Sequence, residues 1–207
     1  MVMSSQQQAQ FRDVFRGHPA GVTLISATVD GRPVGLTASS VSSLSLDPLS
    51  VSFSFMKDTG SAGELLRADS VLIHFLTQDQ ADVAATFAAP TGGGAVASTN
   101  KTKTTKTTKT PTTQTTTKSE DPHTDATVSD RFDAAHGWTT SPTGEPLLPG
   151  CRAVMRARYI STMPAGHSTL VAAEVLDVLE QDPEAEPLLF MGHKFYGTKP
   201  LAPVLDS

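Results

Sequence analysis

Apolar and polar residues alternate most cleanly over Leu49 to Phe55, where Val51, Phe53 and Phe55 interleave with Ser50, Ser52 and Ser54. A period of two predicts a strand with one buried face. Upstream, the apolar, β-branched run from Gly21 to Thr28 predicts another strand, Asp30 and Gly31 a tight hairpin turn, and Pro33 to Ser40 the returning strand. Phe11 to Arg16 reads as a short helix with Phe11, Val14 and Phe15 on one side, ended at His18 by the following proline. Ser61 and Glu64 stand at capping-box spacing, which predicts a helix from Ser61 to about Ala68. Ser70 to Leu76 reads as a strand, and Gln80 to Phe87 as a helix carrying Val83, Ala84 and Phe87 inward. Later strands are expected over Ala153 to Ser161 and His167 to Glu180, joined by residues 163–166, with a last short one from Pro187 to Met191. Several strands at close spacing, with only short helices between, predict a mainly β barrel. No βαβ repeat and no Gly-x-Gly-x-x-Gly occur, which argues against a Rossmann dinucleotide domain.

The pattern lapses over residues 91–128. No large apolar side chain stands between Ala97 and His123, and Thr/Lys repeats fill the gap. Such a segment cannot bury enough surface to offset its ordering entropy, so a disordered Thr/Lys-rich insertion is expected. It accounts for a chain with only 38% hydrophobic and 18% charged residues. The rest is expected to form one domain over residues 10–200, with flexible tails at 1–9 and 201–207. A net charge of −5 argues against a nucleic-acid partner. No apolar run approaches the roughly 18 residues that span a bilayer. Residues Met1 to Gln10 have no signal-peptide core, and the single Cys151 fits a reducing cytoplasm, where it reads as a core residue.

Candidate chemistry concentrates in Thr37, Ser39, Ser40, Ser42 and Ser43, five hydroxyls between two apolar runs. Short hydroxyls and turn N–H groups surround an anion such as phosphate without bulk. Lys57, ahead of Ser61, could neutralise such a group, or could simply be a solvated turn residue. His167 follows Gly166 at the start of a strand, and His193 and Lys194 stand beside Phe195 and Tyr196. An ordinary loop histidine and a snorkelling lysine explain the latter group equally well. Hydrolytic signatures and metal-ligand spacings are absent.

Taken in order, Pro19 to Ile25, Gly35 to Ser40, Ser45 to Pro48, Ser70 to Leu76 with Gln80, Phe87 with Ala88, Asp130 to Phe132, Ala165 to His167 with Glu174 and Val175, and Pro187 to Phe190 with Phe195 match a known arrangement. The chain resembles the flavin reductase-like family of FMN-binding split β-barrels, the reductase components of two-component flavin-dependent monooxygenases. The resemblance implies that Thr37, Ala38, Ser39 and Ser40 line the flavin's phosphate and ribityl chain, and that Phe55, Met56, Lys57 and Ser61 lie beside its ring and phosphate. It implies flavin contact at Thr86 and Phe87 and nicotinamide contact at His167, where Ala165 and Gly166 depart from the family's Gly-Asp-His. Residues His193, Lys194 and Phe195 fall at its less closely matched C-terminal element. The implied activity is NAD(P)H:flavin oxidoreduction. FMN, or alternatively FAD, would be the cofactor, and NADH or NADPH the hydride donor. The protein would be a homodimer passing reduced flavin to a separate monooxygenase. A split-barrel flavoprotein that keeps its flavin and acts on an organic substrate, or a flavin-binding module without turnover, are the alternatives.

Overall fold

A computed structural model describes residues 4–88 and 130–198. The insertion expected at 91–128 lies outside the described residues, as do the termini. In chain order the first half contains α1 (Ser5–Arg16), β1 (Ala20–Gly21), β2 (Thr23–Val29), β3 (Arg32–Ala38), β4 (Ser42–Leu46), β5 (Leu49–Met56), α2 (Gly60–Leu65), β6 (Val71–Phe75) and α3 (Ala81–Ala88). The second half contains β7 (Thr139–Thr140), β8 (Pro146–Leu147), β9 (Ala153–Ala165), β10 (Ser168–Gln181), β11 (Leu189–Met191) and β12 (Lys194–Tyr196).

Seven strands form one antiparallel sheet in the order β3-β2-β6-β9-β10-β5-β4. The sheet curls until its two ends meet. Ser40, just past β3, accepts the Ser54 N–H of β5 at 3.0 Å and donates to the Ser54 carbonyl at 3.2 Å. These two bonds close the seam of a mainly β split barrel and leave β4 as an outer edge.

Strands β2 and β6 are buried on both faces over most of their length, which explains why apolar residues stand at both parities and why Thr23, Ser26 and His74 are buried with them. Ile25, Ala27, Val29, Val71 and Ile73 face the barrel interior with Val51, Phe53 and Phe55 from β5. Leu24, Leu72 and Val154 face outward onto a second core built by Phe87, Trp138 and Leu148. Gly35 makes this outer layer possible, because a Cβ there would lie 2.9 Å from the Phe132 ring.

Four expectations need correction. The first helix begins at Ser5, because Ser4 and Gln7 form a reciprocal capping box, so the tail is shorter than residues 1–9. Ser61 is not the cap of α2: Thr59 holds that position and the helix ends at Leu65. The β9–β10 turn is Gly166 and His167, while residues 163–165 extend β9. Strands β4 and β12 were not foreseen, since serine-rich and three-residue strands carry little apolar alternation.

Candidate functional site

A cleft of about 520 Å³ opens at the barrel seam. One wall is the end of β3 and the residues beyond it, Thr37, Ala38, Ser39 and Ser40; the other is Phe55, Met56, Lys57 and Ser61. Phe87 and Ala88 from α3 close one side. Nine of the fourteen residues expected from sequence therefore line one space. Leu36, Ser54 and Ala88 line it as well. Ser54 was legible only as a polar position in an alternating strand, with no chemical signal of its own.

The structure divides the hydroxyls by what they already hold. Thr37 donates to the Ala84 carbonyl of α3 at 2.7 Å, pinning that helix to β3. Ser40 is engaged in both directions by Ser54. Ser39 stands exposed beyond the last strand residue and lines the cleft, and no hydrogen bond among the described residues competes with a ligand for its hydroxyl. The rings of Phe55 and Phe87 are buried against Phe53 and Phe132 respectively, at 5.3 and 4.8 Å between centroids. Both act as wall, not as free side chains, whereas Met56 is 77% exposed at the rim.

Lys57 has φ 76°, a left-handed conformation that costs an L-residue about 1–2 kcal/mol. Two contacts hold it there. Its N–H donates to the His167 carbonyl at 2.7 Å, tying the end of β5 to the β9–β10 turn. The next residue is clamped by α2, where a Cβ on Gly63 would lie 2.2 Å from the Asp58 carbonyl oxygen. Lys57 also lines a neighbouring cleft of about 620 Å³ with His167, Asp58 and Thr59. The lysine thus stands between the hydroxyl cleft and His167.

Four expected residues are not brought to the hydroxyl cleft or to His167. Thr86 is exposed, and its hydroxyl bonds back to the Asp82 carbonyl at 2.9 Å. His193 lines a third cleft, against α1. Lys194 is exposed on β12, and Phe195 packs on Phe190 with centroids 5.3 Å apart.

A second polar cluster lies elsewhere in the barrel wall. The nearly buried Glu145 carboxylate accepts from Arg156 Nε at 2.7 Å and from the Ser70 and Ser141 hydroxyls at 2.6 Å each, with Thr143 also donating. Burial works to raise its pKa; the hydroxyls of Ser141, Ser70 and Thr143 and the Arg156 guanidinium outweigh it and hold the group down at about 2. His74 is fully buried, with Nδ1 on the Leu24 carbonyl and Nε2 accepting the Leu148 N–H, and burial pushes it down to about 4. Cys151 is buried as expected; burial pushes its thiol up to about 12, which leaves it inert. Among the described residues, no three His, Cys, Asp or Glu side chains group as a metal site, and no helix is long and apolar enough to cross a membrane.

A mainly β split barrel with a hydroxyl- and cation-lined cleft at its seam defines the class. The family model of the flavin reductase like domain matches residues 15–199, so the chain belongs to the flavin reductase-like family. It is 33% identical over 194 residues to the NADH:FMN oxidoreductase of Rhodococcus erythropolis, covering 92% of this chain and 82% of that protein. It is 27% identical over 191 residues to HsaB, the reductase subunit of a flavin-dependent monooxygenase from Rhodococcus jostii, covering 92% and 78%. Its fold matches that of a flavin reductase domain protein from Arthrobacter sp. FB24 with a TM-score of 0.70 at 21% identity, covering 96% and 99% of the two chains.

The seam cleft fits a flavin nucleotide by its own chemistry. Its volume is that of a small-molecule site. Leu36, Phe55, Phe87 and Ala88 offer apolar walls to a flat ring, while Ser39, Ser61 and Lys57 offer hydroxyls and a cation to a phosphate.

Proposed function

We propose that the chain is an NADH:FMN oxidoreductase that supplies reduced flavin to a partner monooxygenase. The observation that carries this reading is the position of Lys57, a cation in left-handed backbone between the hydroxyl cleft and His167. The names of the relatives point the same way: one is an NADH:FMN oxidoreductase and another a monooxygenase reductase subunit. FAD and NADPH are the variant cofactors. The flavin-binding domain comprises residues 10–200 outside the 91–128 insertion, and a reducing cytoplasm supplies the nicotinamide nucleotide.

FMN held by Ser39, Ser61 and Lys57 would supply a ring able to accept a hydride from NADH. The chain's own part is to hold and to shield. Ser39, the main chain at Ser40, Ser61 and Lys57 hold the phosphate end. The buried rings of Phe55 and Phe87 keep the walls rigid and exclude water. His167, linked to Lys57 through its carbonyl, positions the nicotinamide side. No general acid or base of the chain is required, because orientation of the two rings supplies most of the rate.

A homodimer is part of the proposal. The outward row Ser42, Ser52, Ala172 and Ser161 runs across β4, β5, β10 and β9 as a ladder of small side chains. Leu46, Leu49 and Leu170 are exposed on the same strands. A small-residue face with apolar side chains at its margins can pack closely against its own copy.

Anaerobic stopped-flow mixing of the protein with excess FMN and NADH tests the function. Bleaching of all the flavin is expected. Bleaching of one flavin per chain would indicate a retained cofactor, and no bleaching with either nucleotide a binding module. His167→Ala should raise the KM for NADH and leave kcat nearly unchanged; an unaltered KM removes His167 from the site.

A further inference from the structure

Lys57 is the one cation among the described walls of the seam cleft, so recognition of a charged ligand there depends on where a single ammonium stands. The same residue lines the neighbouring cleft beside His167, and a shift of the turn at residues 57–59 would carry its charge from one space toward the other. The left-handed φ of 76° is held from two sides. On one, the Lys57 N–H donates to the His167 carbonyl at 2.7 Å. On the other, the carbonyl of Asp58 lies against α2 at Gly63.

Gly63 makes the second hold possible. A Cβ at this position would stand 2.2 Å from the Asp58 carbonyl oxygen and 2.7 Å from the carbonyl carbon, so one of two backbones would have to move. Helix α2 is not free to yield. Ala62 and Leu65 are buried in the barrel core, and the Tyr159 hydroxyl donates to the Leu65 carbonyl at 2.8 Å. The turn is the softer side, since Lys57, Asp58 and Thr59 are all exposed. A side chain at position 63 would therefore displace the turn and take Lys57 with it. Helix propensity runs the other way, because glycine is a poor helix former and alanine would favour α2. The close approach explains this glycine, and the helix does not.

We infer that Gly63 is a positioning residue for phosphate recognition: by leaving room for the Asp58 carbonyl it fixes Lys57 at the seam, and so sets a preference for FMN over riboflavin, the same ring without the phosphate. The inference rests on the flavin reductase reading. Gly63 lines neither cleft and acts through the lysine.

Fluorescence titrations with FMN and with riboflavin test this on the wild type, Gly63→Ala, Lys57→Met and the double variant. The wild type should prefer FMN. Gly63→Ala should lower FMN affinity about fivefold and leave riboflavin affinity unchanged, as a displaced charge-assisted contact requires. Lys57→Met should lower FMN affinity about tenfold, and the double variant should be no worse than Lys57→Met alone. Equal losses for both flavins in Gly63→Ala would overturn the inference, by making Gly63 a general support of the barrel. An undiminished FMN affinity in Gly63→Ala, or losses that add in the double variant, would overturn it as well. If Gly63→Ala does not fold, adding Thr59→Gly loosens the turn and keeps a tolerated N-cap. That protein should still lack the preference for FMN, and a retained preference overturns the inference. A wild type that binds both flavins equally overturns it alone, whereas a wild type that binds neither overturns the flavin reductase reading with it.

Discussion

Two regions of this barrel gather hydroxyls around a charge, and they do opposite things with them. At Glu145, Ser70, Ser141 and Thr143 surround a carboxylate that belongs to the chain, and Arg156 completes the set. At the seam, Ser39, Ser61 and Lys57 line an open cleft with no carboxylate among its walls. The first cluster is self-satisfied and stabilising. The second turns its charge toward whatever enters. Similar residue types thus yield a structural knot in one place and a binding surface in another, and the difference lies in whether the anion is covalently part of the protein.

The largest effect should come from breaking the self-satisfied cluster. Glu145→Ala strips Arg156 of its counter-ion in a mostly buried setting and should cost about 3 kcal/mol in urea unfolding. FMN affinity of the folded fraction should not change. A cost below about 1 kcal/mol would show that Glu145 contributes no more than a surface pair.

Acid should separate the two regions next. His74 stays neutral in the fold down to about pH 4, whereas the unfolded chain protonates it near 6.5. Its contribution is complete above pH 6.5 and is lost as pH falls toward 4, by roughly 2–3 kcal/mol between pH 7 and 4.5. Glu145 has the same sign at lower pH: its contribution is present above the ordinary 4.5 and is lost as pH falls toward about 2. Urea unfolding at pH 7 and 4.5 measures the first window, and His74→Leu should flatten it. An equal slope in the variant would transfer the effect to other groups.

At the seam the expected signature is a trade. Lys57→Gly removes a cation from the cleft and relieves a left-handed backbone. FMN affinity should fall about tenfold while stability rises by about 1 kcal/mol. If affinity and stability move together, Lys57 serves the fold and not the ligand. The smallest effect should follow deletion of residues 91–128 with a short linker. The flanking rings of Phe87 and Phe132 already lie 4.8 Å apart, so FMN affinity should stay within about twofold. A larger loss would make the insertion part of the site.

Legibility tracked the strength of local signals. The alternation of Leu49 to Phe55 and the turn at Asp30 and Gly31 emerge as β5 and the β2–β3 hairpin. The start of α1 is also written locally, in the capping pair Ser4 and Gln7, whereas the apolar side of Phe11, Val14 and Phe15 marks only its second half. Serine-rich β4 carries little apolar alternation, and its pairing with β5 makes it a strand. Within the site, Thr37 and Ser40 were read as ligand hydroxyls, yet their partners, Ala84 and Ser54, lie 47 and 14 residues away. No local pattern reports such a bond.

The sequence by itself determined the mainly β class, most strand positions, the buried and inert Cys151, and the residues from which a cleft would be built. Each follows from hydrophobic period, turn chemistry or residue type, all of which act within a few positions along the chain. Only the tertiary structure decided that the sheet closes through Ser40 and that Lys57 stands between two clefts. It also decided which hydroxyls are consumed by the barrel, and that α1 lies open beside the seam. Those outcomes depend on contacts between distant segments, whose geometry is set once the curled sheet brings its two ends together.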